Sequence, residues 1–400
     1  MILELLIALI IGIIAGTFTG LAPGIHINLI ASILLGSLGY FAGIPVIALV
    51  VFIVSMSITH TFLDFIPSVF LGAPEEDTFL SILPGHEMAM QGKGYEAVVL
   101  TLYGSLAALI IILFFTPIYI FALPSFYNII KSLLPFILIF ISCYIILRDD
   151  SIITSLVVFA LAGFLGWTAF NAPVKEPLMP LLTGLFGLSN LIISLKQKTK
   201  LKKQILLPLT KIKLSKKEFL KSFGAAFISA PLCSFLPGIG SGHAATIGSE
   251  IIPQERRGFL FLNGAINTII MALSFITVYA INKTRSGSAA AVQSLLKEIS
   301  MQDLITIIIS IVISGIIAFF LGIYLSRVFS KHINKINYSK LNIAVIFILL
   351  IVNIIFTNWL GIIVLISATS LGVFTILSGS KRINLMAALI VPAVVYYLTN

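Results

Sequence analysis

The chain has 400 residues, of which 59% are hydrophobic and only 10% are charged, and its mean hydropathy is +1.13. Because soluble domains carry about 25% charged residues, this composition excludes a soluble enzyme. The formal net charge of +10 could indicate a nucleic-acid partner, but ten lysines fall in one polar connection, residues 196–221. Positive charge concentrated in a loop is typical of the cytosolic side of a membrane protein, so we expect a lipid bilayer and no nucleic acid as partner.

Apolar runs long enough to cross roughly 30 Å of hydrocarbon recur along the whole chain. They are continuous instead of alternating, which favours α-helices over a transmembrane β-barrel. Before the lysine-rich connection, helices are predicted at residues 2–20, 25–38, 43–72, 95–122, 128–147, 152–170 and 177–194. Residues 2–20 lack a basic stretch and a cleavage motif, so we expect a retained segment and not a signal peptide. The fold class is therefore an all-α polytopic membrane protein with about 10–14 membrane segments.

The first half is broken after its first helix. Pro23 and Gly24 cannot continue a helix, and non-helical backbone inside a membrane is tolerated only where it is buried in protein or lines a watery cavity. We therefore predict a substrate-binding site at this break, with His26 and Asn28 as further ligands.

Ionisable residues downstream of this break suggest a path for a coupling ion. His60 and Asp64 are spaced i,i+4 and share one face of a span, which suits either a proton path or one structural hydrogen bond. Glu75, Glu76 and Asp77 lie together between apolar runs. If this piece dips into the membrane, at least one carboxylate must be protonated or paired, and it would then carry H⁺ or bind Na⁺. On an exposed turn the three would be ordinary solvated charges.

After the lysine-rich connection, helices are predicted at residues 218–236, 241–250, 257–281, 300–326, 341–360, 361–378 and 383–398. The stretch PGIGSGH at residues 237–243 repeats the Pro-Gly break of the first half. Its free N–H groups and a helix N-terminus near Ser241 would bind a carboxylate or phosphate. The alternative is a kinked helix packed through its glycines. The residues assigned to this site are Pro237, Gly238, Gly240, Ser241, Gly242 and His243.

Another broken piece, residues 283–298, supplies two further candidates for substrate binding. The guanidinium of Arg285 suits a carboxylate or phosphate, or the acidic residues 75–77 of the other half. Ser286 follows it as a hydroxyl donor. The alternative for Arg285 is a charge on an outside loop.

The matching breaks suggest two repeats, residues 1–195 and 218–400, joined by a lysine-rich linker at 196–217. The sequence ITHT at 58–61 loosely matches AINT at 265–268. If each Pro-Gly break forms a re-entrant hairpin, the count of spans places every basic cluster in the cytosol and both termini outside. The halves then have opposite orientation, which is the inverted-repeat plan of secondary transporters.

Three motifs resemble those of the large membrane subunit of tripartite tricarboxylate transporters. They are GTFTGLAPG at residues 16–24, LGAPEED at 71–77 followed by PGHEMAMQGKG at 84–94, and LPGIG at 236–240, in that order. The chain departs from the family pattern at His26, at His86 and after Gly240. The resemblance implies uptake of an organic anion together with a small membrane subunit and an extracytoplasmic binding protein.

The expected function is that of a permease which moves a small organic anion, coupled to H⁺ or Na⁺ and without another cofactor. One alternative is a translocase of a polyprenyl-phosphate lipid, which requires an apolar cleft open sideways to the bilayer. Another is a scaffold without a cavity at the breaks. Cys143 and Cys233 are isolated, and neither a His-Glu-x-x-His motif nor a Gly-Lys-Ser/Thr motif occurs, so a metalloenzyme or an ATP-driven pump is not expected.

Overall fold

A computed structural model describes residues 2–22, 27, 30–31, 34, 43–72, 82–196, 202–235, 240–333 and 338–399. All regular structure in these residues is helical, and no strand occurs among them. Nine of the described helices are long and apolar enough to cross a membrane, and two shorter apolar helices accompany them. The expected class of an all-α polytopic membrane protein is confirmed for this part of the chain.

The helices follow the predicted order in both halves. The first half contains α1 (Ile2–Leu21), α2 (Val46–Leu63), α3 (Phe65–Leu71), α4 (Ile82–Met90), α5 (Gly94–Phe121), α6 (Leu123–Leu147), α7 (Ile152–Asn171) and α8 (Leu178–Lys196). The middle of α8, Thr183–Leu188, is wound as a π-helix. The second half contains α9 (Lys216–Ser234), α10 (Ser241–Ile251), α11 (Arg256–Ile281), α12 (Gly287–Leu296), α13 (Met301–His332), α14 (Tyr338–Phe356), α15 (Trp359–Ser378) and α16 (Ala387–Thr399). A 3₁₀ turn, Arg382–Met386, leads into α16.

Local chemistry explains where several helices begin and end. Ser215 and Glu218 form a capping box that begins α9, and Ser300 and Asp303 form one that begins α13. Gly379 ends α15 with a φ of +75°, a left-handed conformation that glycine adopts without steric cost. α13 continues beyond its predicted end because its last turn, with Lys and His side chains at a helix C-terminus, contains no helix breaker.

The centre of the bundle is built from α2, α5, α11 and α13, which pack against one another. The backbones of α5 and α11 touch at two glycines. A methyl group at Gly264 would lie 2.1 Å from the carbonyl oxygen of Thr101, and one at Gly104 would lie 1.9 Å from that of Phe261. Side chains larger than hydrogen are therefore excluded at this crossing.

Packing partners fix the relative direction of the first helices. Gly12 lies against Ser55, and Gly20 lies against Leu63, so α1 and α2 run parallel. The predicted break at residues 23–26, and most of the helix predicted at 25–38, lie outside the described part of the chain.

In the second half, α9 and α10 form an antiparallel hairpin. Ser229 packs on Gly248 near the turn of the hairpin, and the Ser222 hydroxyl donates a 2.7 Å hydrogen bond to Gln254 at its open end. α10 begins at Ser241 as predicted, and Gly240 directly before it lies at the closed end, or tip, of this hairpin. Residues 236–239 lie outside the described part of the chain.

Many of the basic residues gather at one end of the bundle, called here the basic end. It holds Arg148, Arg256, Arg257, Lys331, Lys381 and the lysine-rich linker. The opposite end, called the terminal end, holds Ile2 and Thr399. α1 runs from Ile2 toward the basic end, parallel to α2, whereas α16 runs away from the basic end.

The lysine-rich linker is attached to the bundle and is not a freely solvated loop. The side chain of Gln204 accepts a 2.8 Å hydrogen bond from the N–H of Gly94 and donates one of 2.8 Å to the carbonyl of Ala89. The N–H of Ile205 donates to the carbonyl of Gly92, and Ile212 is fully buried. The apolar residues between the lysines thus fix the linker beside the start of α5.

Candidate functional site

A cavity of about 640 Å³ opens at the terminal end and is called here the outer cavity. Gly240, which precedes α10 at the tip of the hairpin, and Arg285, from the connection between α11 and α12, both line it. Aromatic and polar side chains from α7 and α16 complete the wall, including Trp167, Asn171 and Tyr396. Two of the residues predicted to bind substrate thus share one cavity.

Arg285 is positioned beside the tip of the α9–α10 hairpin. Its guanidinium lies within electrostatic range of Cys233, near the end of α9. Ser286 has a structural role here, because its hydroxyl accepts a 3.2 Å hydrogen bond from the N–H of Ala289 and caps α12. A carboxylate in the outer cavity would meet a positive charge and the start of α10 together.

The other predicted substrate ligands fall into two groups. Ser241 is buried in the first turn of α10, and Gly242 lies next to it. The remaining members lie outside the described residues: Pro23, Gly24, His26, Asn28, Pro237, Gly238 and the side chain of His243. The predicted coupling residues Glu75, Glu76 and Asp77 also lie outside.

The other two predicted coupling residues lie in a buried polar cluster between the halves of the chain. Asp64 is 1% exposed, and its Oδ2 accepts a 2.7 Å hydrogen bond from the side-chain amide of Asn267 in α11. The ring of His60 lies 3.1 Å from the hydroxyl of Thr19 in α1. The i,i+4 pair therefore faces two different neighbours, one from each half.

A break in the helix brings Asp64 into this position. α2 ends at Leu63 and α3 begins at Phe65, so Asp64 is the junction residue. Pro67 lacks an N–H and cannot donate to the carbonyl of Leu63 four residues earlier, which interrupts the helix there. Asp64 therefore lies at a local irregularity of a long buried helix, and its carboxylate is directed toward Asn267.

A second cavity, of about 510 Å³, opens at the basic end and is called here the inner cavity. Thr246 and Glu250 of α10 line it, together with four basic residues: Arg148, Arg256, Lys381 and Arg382. The sequence showed these four only as charges near helix ends. Their convergence could not be read from it, because they come from three separated segments.

Ion pairs hold the wall of the inner cavity together. Arg148 contacts Glu250 at 2.8 Å, and the hydroxyl of Tyr144 donates to the same carboxylate oxygen at 2.9 Å. Arg256 contacts Glu87 of α4 at 2.9 Å. The first of these pairs ties the end of α10 to the end of α6.

The two cavities approach α10 from opposite ends of the molecule. α7, α11 and α16 each begin at the basic end and finish at the terminal end. The outer cavity reaches Gly240, just before α10, and the inner cavity reaches Thr246. Fewer than two helical turns of α10 therefore separate them.

A third space is an apolar groove of about 850 Å³ between α5, the linker and α9. It is lined mainly by apolar side chains, among them Leu106, Ile110 and Phe219. Neither Gly240 nor Arg285 belongs to it, so it is separate from the predicted anion-binding break.

Many membrane-spanning helices, and cavities that reach α10 from opposite ends, are features expected of a membrane transporter. The profile of the tripartite tricarboxylate transporter TctA family matches residues 6–387, which is nearly the whole chain. The chain belongs to the TctA family. The resemblance noted from the sequence motifs is thereby confirmed.

A TctA protein is a component of a tricarboxylate transporter, and the family works with other subunits and binding proteins. This chain is also similar to an uncharacterized protein of Methanocaldococcus jannaschii, with 36% identity over 405 residues that cover 98% of this chain and 99% of that protein. No solved structure matches the chain. The family assignment agrees with a transport role.

Proposed function

We propose that this TctA protein is a secondary transporter which moves a small organic carboxylate and couples its movement to H⁺ or Na⁺. The observation that carries the proposal is the pair of cavities that approach α10 from opposite ends. A carrier must expose one site alternately to the two sides of the membrane. α10, a short helix that follows the second Pro-Gly break, lies between the two cavities and suits this requirement.

The substrate would bind in the outer cavity between Arg285 and the start of α10. A guanidinium offers paired donors that match a carboxylate, and the N-terminus of a helix carries roughly half a positive charge. The aromatic walls from α7 and α16 would hold the carbon skeleton, as in most small-molecule sites. The first break, with Pro23, Gly24, His26 and Asn28, is proposed to complete this site from the other half.

Equivalent contacts in the two halves support the proposal of two repeats. Thr61 and Thr268, which occupy matching positions in the ITHT and AINT sequences, lie 3.2 Å apart. A residue meets its own equivalent only near a symmetry axis. Gly166 of α7 packs on α16, and Gly372 of α15, its counterpart, packs on α8. The α2–α3 run and α11 also have equal lengths of 26 residues.

The helix directions support inverted orientation of these repeats. α1 runs toward the basic end, whereas α9, its counterpart, begins there. α2 likewise runs toward the basic end, whereas α11, its counterpart, begins there. Movement of one repeat against the other would then open the outer and inner cavities in turn.

Asp64 is the proposed coupling residue. A carboxylate that is 1% exposed in a membrane protein must be protonated, paired or bound to a cation. The Thr61–Thr268 contact and the Asp64–Asn267 contact both join α2 to α11, at adjacent positions of the two helices. Carboxylate and hydroxyl oxygens are ligands for Na⁺. The cluster lies where α2 crosses α11, so an ion there would act on both repeats.

The basic end is proposed to face the cytosol, because Lys and Arg accumulate on that side of membrane proteins. The terminal end would then face the extracytoplasmic binding protein, which is the expected partner together with a small membrane subunit. This orientation places the outer cavity where the binding protein would release its ligand.

The proposal can be tested by the thermal unfolding of purified protein in detergent with citrate, succinate, acetate and polyprenyl phosphate. A ligand that binds the native state raises the unfolding temperature by mass action. We expect citrate or succinate to do so, and Arg285→Gln to remove the effect. Lys283→Gln is the matched control, because Lys283 carries the same charge on the same connection but is exposed and outside the cavity.

A shift with polyprenyl phosphate alone would replace the proposal by the lipid translocase. Equal carboxylate binding by the wild type and Arg285→Gln would remove the outer cavity from the site. The absence of any ligand effect, together with no uptake into proteoliposomes that contain the binding protein, would contradict transport itself.

A further inference from the structure

The inner cavity contains an arginine that is not part of the proposed substrate site in the outer cavity. Arg382 begins the 3₁₀ turn before α16 and lines the cavity beside Arg148 and Lys381. From the sequence it is only one of the charges that set membrane orientation. Its surroundings assign it a different role.

The guanidinium of Arg382 is held by uncharged groups. Its Nη2 donates a 2.8 Å hydrogen bond to the carbonyl of Phe186, and its Cζ lies 5.5 Å from the centre of the Phe186 ring. The Nε has no acceptor within the described part of the chain. Phe186 itself belongs to the π-helical part of α8, a feature that is frequent at functional sites.

The other two arginines in this cavity differ from Arg382. Arg148 is paired with Glu250 at 2.8 Å, and Arg256 is paired with Glu87 at 2.9 Å. Among the described residues no carboxylate pairs with Arg382. An anion in the cavity would offset part of the cost of half-burying this positive charge.

We propose that Arg382 binds the transported anion at a second, inner station before it leaves toward the basic end. This inference rests on the proposed function and adds a site to it. The chemical class is a di- or tricarboxylate. One carboxylate would bind the guanidinium of Arg382, and a second would reach the ammonium group of Lys381.

The position and size of the cavity agree with this role. A volume of about 510 Å³ lies within the range of roughly 300–1,000 Å³ that small-molecule sites occupy. Arg285 and Arg382 lie in cavities at opposite ends of the bundle, with α10 between them. An anion that passes α10 would exchange one guanidinium for the other, so it would not cross the bundle without a counter-charge.

The test is protection of a cysteine in the inner cavity. Thr246→Cys, in a Cys143→Ser/Cys233→Ala background, is labelled with a maleimide in detergent while citrate, succinate or acetate is titrated. We expect citrate or succinate to protect the thiol, and acetate to do so only weakly. Arg382→Gln should weaken protection by about tenfold to a hundredfold, the effect of losing hydrogen bonds to a charged group.

Three comparisons separate binding from a structural role. Arg382→Lys should restore part of the protection, because it keeps the charge but loses the paired donors. Arg327→Gln is the matched control, since Arg327 is exposed on α13 and outside the cavity. The unfolding temperature without ligand is measured for each variant.

Failure of this inference can be distinguished from failure of the proposed function. If Arg382→Gln is protected as well as the wild type, while Arg285→Gln loses carboxylate binding, the outer site stands and the inner station is wrong. If no carboxylate protects Thr246→Cys in the otherwise unchanged background, the inner station is also wrong. The thermal-shift result then decides the outer site independently.

Discussion

The carboxylate of Asp64 and the side-chain amide of Asn267 form a 2.7 Å hydrogen bond between residues 203 positions apart in the chain. Both residues are 1% exposed, and they lie where α2 crosses α11. A buried carboxylate at the contact between the two halves interacts electrostatically with both, so a change in its charge affects both. Under the proposed function, this contact is where ion binding would influence the relative movement of the halves.

The role of Asp64 can be tested with Asp64→Asn, which keeps the size of the side chain and removes its charge. We expect uptake to lose its dependence on the Na⁺ or H⁺ gradient, because the ion would no longer gain an anionic partner. Uptake into proteoliposomes with imposed gradients provides the measurement. Asp150→Asn removes an exposed carboxylate and serves as the control. An unchanged ion dependence in Asp64→Asn would show that Asp64 is not the coupling residue.

The glycine contact between α5 and α11 predicts a large effect for a small substitution. Gly264→Ala should destabilise the protein by about 1–3 kcal/mol, since the new methyl group would overlap the carbonyl of Thr101. Chemical denaturation in detergent measures this change. Gly224→Ala is the control, because a methyl group there meets only the end of the Ile252 side chain at 3.5 Å. Equal stability of the two variants would contradict the close approach of α5 and α11.

The carboxylate of Asp149, at the basic end, is expected to make the stability of the protein depend on pH. Burial raises the pKa of Asp149, but hydrogen bonds to its carboxylate outweigh this and hold the pKa below its usual value. The donors are the side chains of Ser155, Ser380 and Asn384 and the N–H groups of Asp150 and Lys381. These bonds join the α6–α7 connection to the turn that contains Arg382.

Since the folded-state pKa of Asp149 is lowered, its contribution is present above the unfolded-state pKa of about 4 and is lost as the pH falls through the folded value. Asp149→Asn should lower the unfolding temperature at pH 7. The difference from the wild type should shrink as the pH falls below about 4, where the carboxyl group of the unfolded chain takes up a proton, and should vanish once the folded carboxyl group is protonated as well. Thermal unfolding between pH 3 and pH 8 tests this. A difference that does not change with pH would assign the effect to packing alone.

The proposed orientation predicts opposite accessibility for two exposed lysines. Lys213 lies in the linker at the basic end, and Lys283 lies at the terminal end. In a Cys143→Ser background, a membrane-impermeant maleimide applied to intact cells should label Lys283→Cys. Lys213→Cys should react only after permeabilisation. The reverse pattern would invert the proposed orientation.

The sequence alone predicted most of the helices, because the signals that define them are local. Continuous apolar runs must form helices in a bilayer, where every backbone group needs a partner within its own segment. Breakers and caps act within a few residues, so α10 begins at Ser241 and α7 and α15 lie close to their predicted bounds. The family motifs could also be recognised in the sequence, because each one consists of consecutive residues.

Only the tertiary structure decided which of these segments meet. Nothing near Arg382 in the sequence indicates that its guanidinium lies on Phe186, 196 positions earlier. The placement of Asp64 opposite Asn267 likewise depends on how α2 crosses α11. The position of α11 depends in turn on its close approach to α5 at Gly104 and Gly264. Local patterns determine the helices, whereas the close packing of specific surfaces determines which charges share a cavity.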